Sequence, residues 1–140
     1  MHTIYRVAII GLGIIGRRML TKMPQQGRLE ISGGWDVDAR VCAAAAKDFP
    51  ALRIADDAAS LISSPDIDIV YIGVPPAFHA EYANIAMAAG KTVFCEKPLG
   101  VDLATSSDLV DAIEASGIAN AVNLSLAAAP GVDVMRKALS

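Results

Sequence analysis

Short apolar runs alternate with longer stretches whose apolar residues recur every three or four positions, and the alternation persists through all 140 residues. That pattern predicts strands of a parallel sheet joined by crossover helices. Ile4–Ile10 reads as the first strand, followed by a helix over Gly13–Met23 that Pro24 stops. Leu29–Val37 is the second strand, in which Gly33-Gly34 marks a bulge or a close backbone approach. Asp38 caps an alanine-rich helix that ends near Asp48, since Pro50 forbids its continuation. Leu52–Ala55 reads as a short third strand, and Asp56 or Asp57 caps a short helix after it. Ile67–Val74 is almost wholly apolar, as a central parallel strand covered on both faces must be.

Pro75-Pro76 ends that strand, and the next helix, Ala77–Ala89, carries Phe78, Tyr82, Ile85 and Ala89 at helical spacing before Gly90 stops it. Thr92–Cys95 is the fifth strand. Asp102 caps a helix with Leu103, Val110 and Ile113 turned inward, ended by Gly117, and Ile118–Leu124 is the sixth strand. Pro130-Gly131 precede a last helical stretch, Val132–Leu139. The expected architecture is α/β: a parallel six-stranded sheet with helices on both faces.

Composition narrows the class. With 54% apolar and 19% charged residues, the chain is rich in apolar side chains for a free-standing domain, so part of its surface is expected to face another domain or subunit, which predicts a homo-oligomer. No apolar segment approaches the roughly 20 residues that a bilayer requires, which argues against a membrane partner. The net charge of −3, with no basic stripe, argues against nucleic acid. The N-terminus lacks the basic and apolar regions of a targeting signal, and Cys42 and Cys95 lie far apart, so a reducing, cytoplasmic setting is expected, and no metal site. His2, near the terminus, carries no signal.

The chemistry begins at Gly11-Leu12-Gly13-Ile14-Ile15-Gly16, which follows the apolar Val7–Ile10 and opens a helix. In a strand–turn–helix setting, Gly11 makes the tight turn, Gly13 lets the backbone close on a diphosphate, and Gly16 lets helix and strand pack. The helix start, with the Ile14 and Ile15 amides, offers hydrogen bonds and partial positive charge to an anion. Asp36 lies 20 residues after Gly16 at the tip of the second strand, where a carboxylate accepts bonds from both adenosine ribose hydroxyls. The glycine motif alone also fits FAD binders, some methyltransferases and plain tight turns, but with Asp36 at this distance it predicts a three-layer Rossmann fold that binds a dinucleotide. Asp36 would repel the 2′-phosphate of NADP, and Val37 stands where an arginine often marks NADP use. NAD is therefore expected ahead of NADP, although Arg40 is near enough to favour the latter. Asp38 reads as a helix cap rather than a ligand.

Three further groups fall at carboxyl ends of strands, the edge where open α/β sheets bind ligands. Val74-Pro75-Pro76 presents a rigid apolar ledge, and His79 beyond it reads either as a structural residue bonded to backbone or as a site residue. Glu96-Lys97-Pro98 places a charged pair between apolar residues. Lys97 can donate to a substrate hydroxyl or the cofactor carboxamide and favour a developing alkoxide, the alternative being a solvated ion pair. Pro98 fixes the backbone there and leaves a cis Lys97–Pro98 bond open. Asn123 ends the sixth strand at the same edge, with cofactor binding and simple turn chemistry both open.

Together these motifs resemble the cofactor domain of the glucose–fructose oxidoreductase / inositol dehydrogenase / MocA family. The resemblance rests on Gly11–Gly16, Trp35-Asp36-Val37-Asp38, Tyr71–Pro76 with His79, and Ala89-Gly90-Lys91 leading to Cys95-Glu96-Lys97-Pro98-Leu99. It implies diphosphate binding by Gly11, Gly13 and Gly16, ribose binding by Asp36, adenine and diphosphate walls from Val74–Pro76, and the catalytic lysine role for Lys97. It also implies a cofactor domain over residues 1–124, with 125–140 starting the connection to a C-terminal substrate domain. That domain supplies the acid/base histidine, a position His79 does not match. The implied reaction moves hydride between NAD(P) and a secondary alcohol of a sugar, cyclitol or polyol, with the 140-residue chain inactive alone. Asn123-Leu124-Ser125-Leu126-Ala127 lacks the aromatic and arginine residues common after this asparagine, which weakens the expectation of sugar recognition there. A non-catalytic nucleotide sensor or regulator of the same fold is the alternative.

Overall fold

The computed structural model describes residues 3–125 and 130–139. His2, and Leu126 and Ala127 of the loop after Asn123, lie outside the described residues. Five strands make one parallel sheet: β1 (Tyr5–Ile10), β2 (Leu29–Trp35), β3 (Ile69–Ile72), β4 (Thr92–Cys95) and β5 (Asn120–Val122), in the order β2-β1-β3-β4-β5. The helices are α1 (Ile14–Lys22), α2 (Ala39–Asp48), α3 (Ala58–Ser63), α4 (His79–Ala88), α5 (Leu103–Ser116) and α6 (Pro130–Ala138).

Strand alternation assigns the two layers of core. Val7, Ile9 and Tyr71 face one side, where Leu20 of α1 and Ala45 of α2 cover them. Ala8, Ile10, Val70, Ile72, Val93 and Cys95 face the other, under Leu61 and Ile62 of α3, Tyr82, Ala83 and Ala86 of α4 and Leu109 of α5. Both faces of β1 and β3 are buried, which is why these strands are apolar at consecutive positions.

Asp38, Asp57 and Asp102 cap α2, α3 and α5, each accepting a bond from a backbone amide of the first turn. The expected bulge in β2 is present, where the β1 register steps from Val7–Ile31 to Ala8–Gly33.

Two expectations need correction. The sheet has five strands, not six, because Leu52–Ala55 contributes only one bridge, Gly34 to Ile54. Its flanks explain this. The segment turns on the far side of Pro50, Asp57 caps a helix just beyond it, and the Arg53 side chain occupies the Ser32 carbonyl that a continuing ladder would use. Leu103 is not turned inward: as the first residue of α5 it is 85% exposed, and Leu109 is the α5 residue buried in the core. Among the described residues, no helix is long and apolar enough to cross a membrane.

Candidate functional site

Order in the sheet decides where a ligand can sit. The chain leaves β1 toward β2 on one side and leaves β3 toward β4 on the other, so a crevice opens between the carboxyl ends of β1 and β3. The glycine turn fills the β1 side of that crevice. Gly11 has φ +95°, and a Cβ built on it would lie 2.7 Å from the Gly73 carbonyl carbon and oxygen, so only glycine lets the two loops approach. A Cβ on Gly16 would meet the Gly11 carbonyl oxygen at 1.8 Å, which makes Gly16 a packing residue. Gly13 differs from both, because a Cβ there would meet nothing within 4 Å and would enter open space.

That open space is a cleft of about 490 Å³. Gly11, Gly13, Ile14 and Ile15 form one wall, Trp35, Asp36 and Val37 the β2 end, and Gly73, Val74 and Pro75 the opposite wall. Phe78 and Tyr82 close the apolar end, with Tyr82 packed 5.9 Å from Trp35 between ring centroids. Helix α1 begins here with neither a capping side chain nor an acidic residue in its first turn, so its first amides remain receptive to an anion. The donors, the open volume at Gly13 and the carboxylate at the far end suit a dinucleotide.

Asp36 is set by its own loop and by the glycine turn. Its Oδ2 accepts from the Leu12 amide at 2.8 Å and its Oδ1 from the Asp38 amide at 3.0 Å. Each carboxylate oxygen retains a lone pair for a ribose hydroxyl. Val37 is 85% exposed at the cleft rim. Arg40 is engaged elsewhere, its Nε and Nη2 on Asp38 at 3.1 and 2.8 Å, and this pairing together with the Arg40 amide lowers the Asp38 carboxyl to about 2.

A second cavity, of about 430 Å³, shares Ile15, Gly73 and Val74 with the first and is also lined by Arg18, Met19, Glu96, Lys97, Asn123 and Ser125. Glu96, Lys97 and Asn123 are thus gathered in one place, as their positions after β4 and β5 imply. The Lys97–Pro98 bond is cis. Lys97 is exposed and, among the described residues, makes no salt bridge, so it is not one half of a Glu96–Lys97 ion pair. Glu96 instead accepts on Oε1 from the Tyr71 hydroxyl and from Asn123 Nδ2. Burial, and then the Glu96 carboxylate, push the Tyr71 phenol far above its ordinary value. Burial likewise raises the neighbouring Cys95 thiol to about 12, which leaves it a core residue rather than a nucleophile.

Three expected site residues line neither cavity: Gly16, which packs against the Gly11 carbonyl, Pro76 and His79. Pro76 opens a 3₁₀ turn, Pro76–Phe78, that leads into α4. His79 is fully buried, its Nε2 donating to the Val74 carbonyl at 2.8 Å while Nδ1 has no partner among the described residues. It supports the Val74–Pro75 wall from behind, which is the structural one of its two readings. The sequence alone does not mark Trp35, Gly73, Phe78, Tyr82, Arg18 and Tyr71 as site residues. Phe78 and Tyr82 did stand on the apolar face of their helix, but periodicity alone does not separate a core aromatic from one lining a cleft.

A parallel sheet with a glycine turn at its switch point, an open anion-receptive helix start and a carboxylate at the tip of the second strand define a dinucleotide-binding Rossmann domain. Residues 5–124 match the family described as "Oxidoreductase family, NAD-binding Rossmann fold". The chain belongs to this glucose–fructose oxidoreductase / inositol dehydrogenase / MocA family. It is 39% identical over 98 residues to a 1-carboxy-3-chloro-3,4-dihydroxycyclohexa-1,5-diene dehydrogenase of Comamonas testosteroni, covering 70% of this chain and 25% of that protein. It is 37% identical over 115 residues to inositol 2-dehydrogenase 3 of Saccharopolyspora erythraea, covering 80% of this chain and 33% of that protein. Among solved structures, biliverdin reductase of Synechocystis sp. PCC 6803, in complex with biliverdin and NADP+, aligns with a TM-score of 0.86 at 26% identity, over 96% of this chain and 42% of that one. The chain thus spans about a quarter to a third of the curated relatives it matches.

Proposed function

We propose that this chain is the cofactor domain, residues 1–124, of a cytoplasmic dehydrogenase that moves hydride between NAD(H) and a secondary alcohol of a sugar, cyclitol or related polyol. One observation carries the reading: two adjoining cavities with a shared wall along the strand ends bring together an acidic tip at Asp36, an open helix start at Gly13 and a cationic end at Lys97. The α1 amides of Ile14 and Ile15 take the diphosphate, and Asp36 takes the adenosine ribose hydroxyls. The apolar ring faces of Trp35, Phe78 and Tyr82 flank the adenine end. When bound, NAD supplies a nicotinamide C4 that accepts the hydride leaving the carbinol carbon.

The residues of this chain then have separate tasks. Lys97 donates to the substrate oxygen and stabilises negative charge as the hydroxyl loses its proton. Gly73 and Val74 form the wall shared by both cavities and keep water from one side of the reacting centre. The base belongs to the C-terminal domain that the family resemblance implies, so these 140 residues alone bind nucleotide without turning over substrate. Small-molecule chemistry on cyclic polyols agrees with the dehydrogenase relatives, and an oligomer of the full protein agrees with the apolar surface.

NAD is favoured over NADP because Asp36 would face a 2′-phosphate with like charge. Trp35, at the adenosine end, reports binding directly. Titration of the chain with NADH should quench Trp35 fluorescence saturably, NADPH should act more weakly, and Asp36→Ala should cost at least about tenfold in NADH affinity by removing charged acceptors. Equal affinity for both nucleotides would refute the NAD preference. No binding by folded protein would refute the cofactor role.

A further inference from the structure

We propose that Tyr71 and Asn123 are positioning residues that clamp Glu96 at the nicotinamide end of the cleft and keep it off Lys97. The inference rests on the dehydrogenase reading above and assigns a function to a buried residue outside the nucleotide-binding motifs.

Three strand ends meet at one oxygen. Tyr71 belongs to β3, Glu96 directly follows β4 and Asn123 directly follows β5, and both donors converge on Glu96 Oε1. The Tyr71 side chain is fully buried, with its ring edge-on to Phe94 at 5.3 Å between centroids. A buried phenol needs a partner, and an anionic acceptor is the strongest on offer. Space for the ring comes from Gly73, where a Cβ would lie 2.9 Å from Tyr71 Cε1. Gly73 lines both cavities, so the tyrosine that holds Glu96 also packs against the wall they share.

The consequence falls on Lys97. Adjacent glutamate and lysine side chains in one cavity attract each other, and a released Glu96 could neutralise the ammonium that the substrate needs. With Oε1 committed to two uncharged donors, Glu96 makes no salt bridge with Lys97 among the described residues. The clamp thereby keeps the cation unpaired and the floor of the nicotinamide end ordered, without touching the adenosine end.

The test compares NADH with ADP, which shares only the adenosine and diphosphate portion, by Trp35 fluorescence on the 140-residue chain. Tyr71→Phe removes one hydroxyl and keeps the ring. It should weaken NADH roughly three- to tenfold, the range of an ordinary net hydrogen bond, because only the positioning of Glu96 is lost, and leave ADP affinity within about twofold. Equal losses for both nucleotides, or no loss for either, would overturn the clamp, since a general structural role cannot separate them. Should Tyr71→Phe fail to fold, Asn123→Ala, at the half-buried end of β5, decides by the same comparison. Wild-type protein is the control for the reading beneath. If it binds neither nucleotide, the cofactor role fails; if it binds both and the variants show no difference, only the clamp fails.

Discussion

Gly13 and Gly16 stand three residues apart and do opposite things. A methyl group on Gly16 would collide with the Gly11 carbonyl, whereas one on Gly13 would meet only the empty cleft. Gly16→Ala should therefore destabilise the fold by roughly 3 kcal/mol or more, as overpacking against backbone does. Gly13 has φ −66°, which alanine adopts freely, so Gly13→Ala should melt like the wild type yet bind NADH at least about tenfold more weakly. Thermal melts paired with nucleotide titration check both, and a Gly13→Ala variant that binds normally would contradict the placement of the diphosphate. The glycines, Asp36 and Lys97 were legible in the sequence because each is an unusual residue for its local pattern. Tyr71 was not, because a tyrosine in an apolar strand reads as core, and its hydroxyl finds Glu96 only once β3 and β4 are aligned. His79 stayed ambiguous for the same reason, since nothing local reveals that its ring points at the Val74 carbonyl.

At the scale of elements, the helix starts were the most legible features. An aspartate ahead of an apolar-periodic stretch has a local mechanism, and Asp38, Asp57 and Asp102 all bond first-turn amides. Their carboxyls are held below the usual range, Asp57 chiefly by Ser60, Asp102 by the Thr105 amide and hydroxyl, and Asp38 by Arg40. A folded-state value below the unfolded one contributes stability that is present above the unfolded value and lost as pH falls through the folded one. Stability should hold near neutrality and decline between about pH 4 and pH 2. Asp102→Ala should lower Tm by a few degrees at pH 7, and the difference should shrink as acid protonates the lowered Asp102 carboxyl. A constant Tm deficit across that range would contradict the cap's role. Strand ends were less legible. Ile67–Val74 and Ile118–Leu124 shorten to Ile69–Ile72 and Asn120–Val122, because pairing partners set where a ladder stops. Leu52–Ala55 has strand-like residues but no continuous neighbour, which no property of four residues could announce.

Across the whole molecule, one edge collects the candidate chemistry. Charged pairs such as Arg6 with Asp66 and Asp68 lie at the amino end of the sheet, while Gly11, Asp36, Gly73, Glu96 and Asn123 each directly follow a strand at the carboxyl end. Alternation of strands and helices made this legible as a topology, since a parallel sheet must place every such loop on the same side. What the sequence could not convey is that two cavities along this edge share Ile15, Gly73 and Val74, with Asp36 in one and Lys97 in the other. A dinucleotide spanning both cavities is the central proposal. It is tested most directly by a crystal structure of the chain grown with NADH. The adenosine ribose should lie on Asp36, the diphosphate against the Gly13–Ile15 backbone, and the nicotinamide within reach of the Lys97 side chain. A nucleotide bound elsewhere, or a nicotinamide beyond that reach, would contradict it.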